Sequence, residues 1–269
     1  MKIILFIILS LILSCSTKRD FPGKDVCYLL YDVKTQRYVE EHNRGRCEMR
    51  LPACSTFKVP LAVMAFDSGV LKDENLPVFK WDGQKRMIEA WNQDQTPTTW
   101  MRESAVWVSQ EITPKLGIKK IEQYLKDFKY GNHDMSGGLK YAWLTPAPFI
   151  ADSMGNTLKV SAHEQVSFLE KLWQGELKAS SQSQILTQKI MAQDTSPRGY
   201  TLVGKTGSGF ADSHHDLRLG WYIGHLEKDD REYIVVLNFS DKQKVPAGTY
   251  AGREAKEMAI NLLSERKLW

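Results

Sequence analysis

Strand-like segments stand at both ends of this chain and helical patterns fill its middle. Residues 25–32 (DVCYLLYD) and 36–40 read as a hairpin, and residues 200–205, 217–226 and 232–239 are β-rich runs separated by Gly, Asp and Ser. Strands from both termini can share one sheet only if the middle is an insertion. The pattern therefore predicts an α+β fold, with a central antiparallel β-sheet flanked by helices and an inserted all-helical lobe.

Apolar periodicity and capping signals predict the helices of the middle and of the C-terminal end. Thr96-Pro97 is a helix start whose helix Pro114 should end, and Ser161 with Glu164 forms a capping box. The predicted helices cover 55–67, 97–112, 118–128, 161–173, 183–191 and 252–263. We expect residues 16–269 to form a single catalytic domain of two lobes, an α/β lobe from 20–70 with 193–269 and a helical lobe from 71–192.

The N-terminus predicts export. Met1-Lys2 precedes the apolar run from Ile3 to Leu13, which suits a signal peptide over residues 1–15 and is shorter than the roughly 20 residues of a transmembrane helix. We expect an exported, periplasmic bacterial protein. The end of the run before Cys15 resembles a lipobox, so either a lipid anchor on Cys15 or simple cleavage could follow, and no other membrane contact is expected.

The cysteine content limits the possible disulfides, and the charge limits the possible partners. Cys27, Cys47 and Cys54 follow the leader, and an oxidising compartment allows one disulfide among them; Cys47 with Cys54 is favoured over the other two pairings. The chain of 269 residues is 42% apolar and 25% charged, which is ordinary for a globular protein, and its net charge is only +4. Lys and Arg alternate with Asp and Glu, so no nucleic-acid partner is expected.

Ser55 and Lys58 form the most informative pair. Residues three apart lie on one face of a helix, so the Ser55 hydroxyl and the Lys58 amine can share a cleft. A lysine can serve as base only when its surroundings disfavour the ammonium form, and the apolar neighbours Phe57, Val59 and Leu61 supply such surroundings. The pair predicts a serine nucleophile with a neutral lysine base, with helix-terminal N–H groups available to an oxyanion.

Three further patterns bear on the site. Residues 199–206 satisfy the P-loop expression GxxxxGK[ST], but strand formers lie inside it and no helix pattern follows, so nucleotide binding is not expected. Read as a strand, Lys205-Thr206-Gly207 can line a cleft and bind a carboxylate, with Gly207 allowing close approach. His214-His215-Asp216 suits a hairpin turn better than a metal site, because adjacent strand residues point to opposite faces.

In this order and spacing, four segments resemble the motifs of the class D serine β-lactamases, the oxacillinases: Ser55-Thr56-Phe57-Lys58, Ser104-Ala105-Val106, Tyr130-Gly131-Asn132 and Lys205-Thr206-Gly207. Tyrosine in the third motif favours class D over class A, whose corresponding element is SDN. Similarity extends over nearly the whole chain after the leader, including 79–82, 91–92, 96–112, 142–144, 158–161 and 220–221.

The resemblance implies the chemistry. Ser55 would attack the β-lactam carbonyl and become acylated, and Lys58 would carry a carbamate, formed with carbon dioxide, that acts as base in acylation and deacylation. Trp143 would steady the carbamate through its indole N–H, and Val106 and Leu144 would shield it. No metal and no other cofactor is implied, and the expected substrates are penicillins, with β-lactam resistance as the result.

The resemblance also implies how substrate is held. Ser104 would relay a proton to the leaving nitrogen, while Lys205, Thr206 and Arg253 would bind the substrate carboxylate. The backbone N–H groups of Ser55 and Ser208 would form the oxyanion hole. A penicillin-recognising sensor that stays acylated is the main rival reading, and monomer and homodimer both remain open. One departure is the stretch from Thr145 to Thr157, longer than the common family pattern.

Overall fold

The fold centres on an antiparallel sheet, seen in a computed structural model that describes residues 19–144, 157–212, 214–245 and 250–269. The strands are β1 (Lys24–Asp32), β2 (Arg37–His42), β3 (Leu51–Pro52), β4 (Lys159–Val160), β5 (Ala192–Thr195), β6 (Thr201–Phe210), β7 (Arg218–Lys228) and β8 (Arg231–Asp241). The order in the central sheet is β2-β1-β8-β7-β6-β5, and a separate pair joins β3 to β4.

The N-terminal and C-terminal strands meet in the middle of this sheet. Strand β1 pairs antiparallel with β8, with Cys27 opposite Asn238, and β7 joins β8 to β6, with Gly207 opposite Trp221. The helical segments between β2 and β5 are therefore an insertion between strands of one sheet. The predicted α+β fold with a central antiparallel sheet is confirmed.

Helices cover both faces of the sheet. They are α1 (Arg44–Glu48), α2 (Lys58–Asp67), α3 (Pro97–Glu103), α4 (Val106–Leu116), α5 (Ile118–Phe128), α6 (Ala162–Gln174), α7 (Ser181–Ile190) and α8 (Ala251–Glu265). Helix α8 packs on β6, β7 and β8 from one side, and α6 packs on β1, β7 and β8 from the other. Because both faces are covered, the middle strands are apolar on both sides: Tyr222 belongs to the cluster under α8, and Trp221 and Ile223 belong to the cluster on the opposite face.

Helix α2 lies at the centre of the helical region. Every residue from Lys58 to Phe66 is buried, and the helix contacts α4, α5 and α7. A helix that is apolar all round must be covered on all sides, and the sequence KVPLAVMAF has that character. A lysine at its first turn is consequently enclosed by protein.

Several predicted boundaries were wrong. Ser55 precedes the helix: it lies in a 3₁₀ turn, Cys54–Phe57, and α2 begins at Lys58. The helix predicted over 97–112 is two helices, α3 and α4, interrupted at Ser104, whose φ of 58° is left-handed. Pro114 does not end α4, which runs to Leu116, because the fixed φ of proline is itself helical. The short elements α1, β3, β4 and β5 were not predicted.

The disulfide joins Cys27 to Cys47, so the pairing of Cys47 with Cys54 was wrong. Cys27 lies in β1 and Cys47 in α1, and the Cα atoms of these two residues are 5.2 Å apart, within the range a disulfide can bridge. Cys54 keeps a free, buried thiol. Sequence proximity favoured Cys54, whereas the packing of α1 on β1 selects Cys27.

The predicted leader, residues 1–15, and the long segment 145–156 lie outside the described residues. Within the described ranges, no helix combines the length and apolarity needed to cross a membrane. The division into lobes at residues 71 and 192 stays a prediction. Helix α6, which falls in the predicted helical lobe, packs directly on the sheet, and α2 joins the two regions.

Candidate active site

The turn that carries Ser55 places its hydroxyl beside Lys58. Lys58 Nζ lies 3.3 Å from Ser55 Oγ. The turn has no side-chain cap of its own. Its first residue, Cys54, has a φ of 50°, a left-handed value that is unfavourable for a residue other than glycine. Surrounding contacts must therefore hold this turn, and it presents Ser55, which is partly exposed, next to a buried amine.

Lys58 is fully buried, and burial is the main cause that moves its pKa well below the ordinary lysine value. The neighbouring charge of Lys205 lowers the pKa of Lys58 further, and Cys54 acts in the opposite direction. The surroundings of Lys58 therefore favour the neutral amine over the ammonium form. Burial also raises the pKa of the Cys54 thiol to about 12, so Cys54 is not a thiolate nucleophile. Of the two adjacent candidates, Ser55 is the group that can be activated.

Trp143 closes the pocket around the lysine. Its ring stacks on Phe57 with centroids 5.7 Å apart, and Lys58 Nζ lies 5.3 Å from a ring centroid of Trp143. The indole N–H is buried and has no hydrogen-bond acceptor in the described residues. A buried donor without an acceptor is costly, so this position fits an acceptor group carried by Lys58, such as the oxygens of a carbamate. Leu144, the next residue, is partly buried and packs against the same core.

Lys205 on β6 faces Ser104 across the cleft. Lys205 Nζ donates to Ser104 Oγ at 3.0 Å and to the Thr206 carbonyl at 3.0 Å. Burial lowers the pKa of Lys205 to about 7, so this amine can exchange a proton near neutral pH. Ser104 occupies the break between α3 and α4, and Val106 is the first residue of α4. The break aims the Ser104 hydroxyl at β6, which a serine inside a continuous helix would not do.

The strand β6 and the first turn of α8 form the remaining wall. A Cβ atom on Gly207 would lie 3.2 Å from Thr56 Cγ2, and one on Gly252 would lie 2.7 Å from the Gly207 carbonyl oxygen. Both glycines allow backbone segments to approach closely. The Gly252 N–H donates to Ser208 Oγ at 2.8 Å, which ties α8 to β6.

Arg253 follows Gly252 at the start of α8 but lies outside this cluster. Its side chain is 85% exposed, and its ion pair is with Glu257 at 3.9 Å. The structure therefore brings together Ser55, Lys58, Trp143, Ser104 and Lys205, and leaves Arg253 facing solvent near the strand that they line.

Comparison with known proteins matches this arrangement. The family model described as the penicillin binding protein transpeptidase domain matches residues 26–264. Beta-lactamase OXA-1 of Escherichia coli is 36% identical over 255 residues, covering 92% of this chain and 87% of that protein, and beta-lactamase OXA-48 of Klebsiella pneumoniae is 37% identical over 219 residues, covering 81% and 76%. The chain belongs to the class D serine β-lactamase family.

Solved structures of class D β-lactamases agree with this assignment. The class D beta-lactamase BAT-2 superposes with a TM-score of 0.78 at 30% identity, covering 91% of this chain and 93% of that one. The crystal structure of OXA-427 gives a TM-score of 0.77 at 34% identity, covering 91% and 100%. The enzyme is thus a β-lactam amide hydrolase by family.

The Tyr130-Gly131-Asn132 motif of this class D β-lactamase contacts the segment that leads into β4. The Asn132 side chain accepts from the Lys159 N–H at 3.0 Å and donates to the Thr157 carbonyl at 2.6 Å. Gly131 has a φ of 64°, and a Cβ atom there would clash with the Lys159 carbonyl oxygen, so only glycine fits. These contacts hold strand β4 in place, and with it the start of α6, near the turn that carries Ser55.

Two alternative sites are not supported in this family member. Residues Thr201–Phe210 are one continuous strand through the P-loop-like segment, so the loop and helix that bind nucleotide phosphates do not follow it. No cluster of His, Cys, Asp or Glu suited to a metal occurs in the ranges that the structure describes. His215 instead stacks on Phe210, with ring centroids 4.4 Å apart.

Sequence reasoning missed two residues near the site, Thr56 and Gln165. Thr56 is buried inside the SxxK segment, and Gln165 is buried on α6 and donates to Thr56 Oγ1 at 2.9 Å. A glutamine at an apolar-face position of a helix was the available signal, because a buried polar side chain needs a partner.

Proposed function

We propose that this enzyme hydrolyses the β-lactam amide of penicillins through an acyl-enzyme on Ser55, with Lys58 carboxylated as the base, and so confers β-lactam resistance. The observation that supports this best is the environment of Lys58: a buried amine with a strongly lowered pKa, 3.3 Å from Ser55 Oγ and beside the indole N–H of Trp143, which has no acceptor among the described residues. Only an uncharged amine adds carbon dioxide, so depression of the Lys58 pKa is a requirement of the proposal.

In acylation, the base at Lys58 takes the proton of Ser55 as its Oγ attacks the lactam carbonyl carbon. The backbone N–H groups of Ser55 and Ser208 stabilise the oxyanion. The ring C–N bond then breaks, and the departing nitrogen receives a proton through the Ser104 hydroxyl. Lys205 supplies that proton because its Nζ already donates to Ser104 Oγ and its pKa is about 7.

In deacylation, a water molecule attacks the ester carbonyl of acylated Ser55. Before this step Lys58 releases the proton that it took from Ser55, and Lys205 regains the proton that it gave to the nitrogen, both by exchange with solvent. Carboxylated Lys58 is then again a base and deprotonates the attacking water. The ester C–O bond breaks, Lys58 returns this proton to Ser55, and the ring-opened penicilloate leaves. Trp143 orients the base, and Val106 and Leu144, both partly buried, limit the approach of bulk water.

Substrate binding follows from the charge of the cleft. Lys205 and Thr206 lie on β6, where the Lys205 amine and the Thr206 hydroxyl would hold the substrate carboxylate. The exposed guanidinium of Arg253 can turn toward the same anion. Gly207 lets the substrate backbone lie against the strand.

The deciding experiment is multiple turnover of a chromogenic cephalosporin and a penicillin. We expect steady hydrolysis over many equivalents, and loss of at least about 10⁴-fold in Ser55→Ala. Mass spectrometry should show one covalent adduct, on Ser55. A burst that stops near one equivalent would instead assign the chain to penicillin-recognising sensors, and turnover by Ser55→Ala would refute the nucleophile.

We also propose that the chain is exported to the periplasm, with Cys15 as a possible site of lipid attachment. Fractionation of producing cells tests the location. Metabolic labelling with a tagged fatty acid, compared between the wild type and Cys15→Ser, tests the anchor. Size-exclusion chromatography with light scattering distinguishes a monomer from a homodimer.

A further inference from the structure

Gln165 is a buried polar residue that none of the steps above uses. It lies in the first turns of α6 and has no solvent exposure. Its Nε2 donates to Thr56 Oγ1 at 2.9 Å. Burying an amide is costly unless it is hydrogen-bonded, and of this amide only Nε2 has a partner among the described residues, because Oε1 is buried without a donor. The bond to Thr56 is therefore the contact through which Gln165 can act.

Thr56 connects the nucleophile turn to the strand on the opposite side of the cleft. Its Oγ1 donates to the Ala53 carbonyl at 2.6 Å, inside the turn that carries Ser55. Its methyl group packs against Gly207, where a Cβ atom would lie only 3.2 Å from Thr56 Cγ2. Gly207 immediately precedes Ser208. Thr56 therefore lies between the turn that carries Ser55 and the strand that carries Ser208, in contact with both.

We propose that Gln165 is a positioning residue that fixes the spacing of the two oxyanion donors, the N–H groups of Ser55 and Ser208, by holding Thr56 in one rotamer. The inference rests on the proposed function, because it assigns these two N–H groups to the oxyanion hole. Gln165 touches neither the substrate nor the reacting atoms, and it acts only through Thr56.

Helix α6 is well suited to serve as the fixed reference. Ser161 and Glu164 form a capping box at its start, and Glu164 also binds Arg50, which lies just before β3. Tyr130 lies against Thr56 and Gln165 and is itself fully buried. The nucleophile turn, in contrast, has no side-chain cap and a left-handed Cys54. Its geometry is therefore imposed from α6.

The expected effect is kinetic. Effective oxyanion donors lie about 2.7–3.1 Å from the position of the oxyanion, and loss of one donor costs roughly 10²- to 10³-fold in rate. A displacement of about 1 Å far from the chemistry can cost about 10²-fold. Release of Thr56 leaves both donors present but less well spaced, so we expect acylation in Gln165→Met to slow by about 10- to 100-fold.

The test compares Gln165→Met with a matched control, Gln184→Met. Gln184 is also a buried glutamine, on α7, where it accepts from the Leu177 N–H at 3.2 Å and donates to the Ala179 carbonyl at 3.1 Å, away from the cleft. Both changes remove buried amide hydrogen bonds and should lower the melting temperature. We expect only Gln165→Met to slow single-turnover acylation and to weaken binding of phenylboronic acid, whose tetrahedral adduct with Ser55 occupies the oxyanion hole.

Equal acylation rates and equal boronate affinities in the two variants would overturn the inference and leave Gln165 a purely structural residue. If Gln165→Met does not fold, Thr56→Val keeps the methyl contact with Gly207 and removes the hydroxyl, and with it both the bond from Gln165 and the bond to the Ala53 carbonyl. Acylation should be slow in Thr56→Val, and an unchanged rate in that variant would likewise overturn the inference. Slow labelling of Ser55 separates this outcome from failure of the proposed function, in which Ser55 is not labelled at all.

Discussion

The indole N–H of Trp143 is buried beside Lys58 and has no acceptor among the described residues, while Lys58 Nζ lies 5.3 Å from the Trp143 ring. A buried donor without an acceptor is unfavourable, and burial favours the neutral form of the lysine amine. In the proposed enzyme, addition of carbon dioxide to the amine would create acceptor oxygens beside this donor. The relationship between the two residues therefore supports the proposal that Lys58 is carboxylated.

We expect Trp143→Phe to weaken the carbamate, because a hydrogen bond to a charged group contributes about 1.5–3 kcal/mol, or roughly 10- to 100-fold in carbon dioxide affinity. Activity should fall in degassed, mildly acidic buffer and return with added bicarbonate. Carbon-13 NMR with labelled bicarbonate measures the carbamate directly. Trp100→Phe is the control, since Trp100 is equally buried but its indole N–H already donates to Ser109 Oγ at 3.0 Å. The same bicarbonate response in both variants would contradict the role of Trp143.

Lys58→Ala should separate the two halves of the reaction. Oxyanion stabilisation survives, so some acylation should remain, whereas general-base catalysis, which contributes typically 10²- to 10⁴-fold, is lost from deacylation. Intact-protein mass spectrometry should show an adduct that persists for hours. Lys228→Ala, at the far end of β7, should turn over normally. Full turnover by Lys58→Ala would refute the assigned base.

Lys205 should make the stability of the fold depend on pH. Burial lowers its pKa in the folded state from 10.5 to about 7, so between these values the unfolded chain binds a proton that the folded chain does not. The free energy of unfolding should therefore rise with pH above about 7, by up to about 1.4 kcal/mol per pH unit, and this contribution should be constant below it.

Urea unfolding of the wild type and Lys205→Met at pH 6, 7, 8 and 9 measures this contribution as a difference. The wild type should gain stability relative to the variant as pH rises. The range stops at pH 9 because burial raises the pKa of Tyr130 and Tyr222, and unfolding then exposes phenols that ionise more easily. A pH-independent difference would show that Lys205 titrates normally.

The disulfide should join Cys27 to Cys47 in the oxidised protein. Non-reducing peptide mapping should recover that pair, and a Cys47–Cys54 peptide would contradict it. Cys27→Ala with Cys47→Ala should lower the free energy of unfolding by about 3 kcal/mol, the value expected for closing a loop of this length. Cys54→Ala keeps the Cys27–Cys47 bridge, so the free energy of unfolding of this variant should not show the loss of about 3 kcal/mol.

Much of the fold could be predicted because its signals are local. The strand runs at both ends differ in period from the helical middle, and antiparallel pairing of β1 with β8 follows once the middle is an insertion. The N-cap at Thr96 with proline after it and the capping box at Ser161 were readable for the same reason, since each involves residues no more than three apart. The break at Ser104 was not readable, because contacts with β6 impose it on a sequence that suits one helix.

The sequence by itself determined the chemical groups of the site and their order: Ser55 and Lys58 three apart, Ser104, and Lys205 on a strand. Only the tertiary structure decided the environment of those groups, and with it their pKa values and their partners. Burial of α2 lowers the pKa of Lys58, packing places the indole N–H of Trp143 beside it without an acceptor among the described residues, and α1 rather than the nucleophile turn supplies the partner of Cys27. Desolvation and hydrogen-bond geometry are relations between segments far apart in the chain, and no local pattern specifies them.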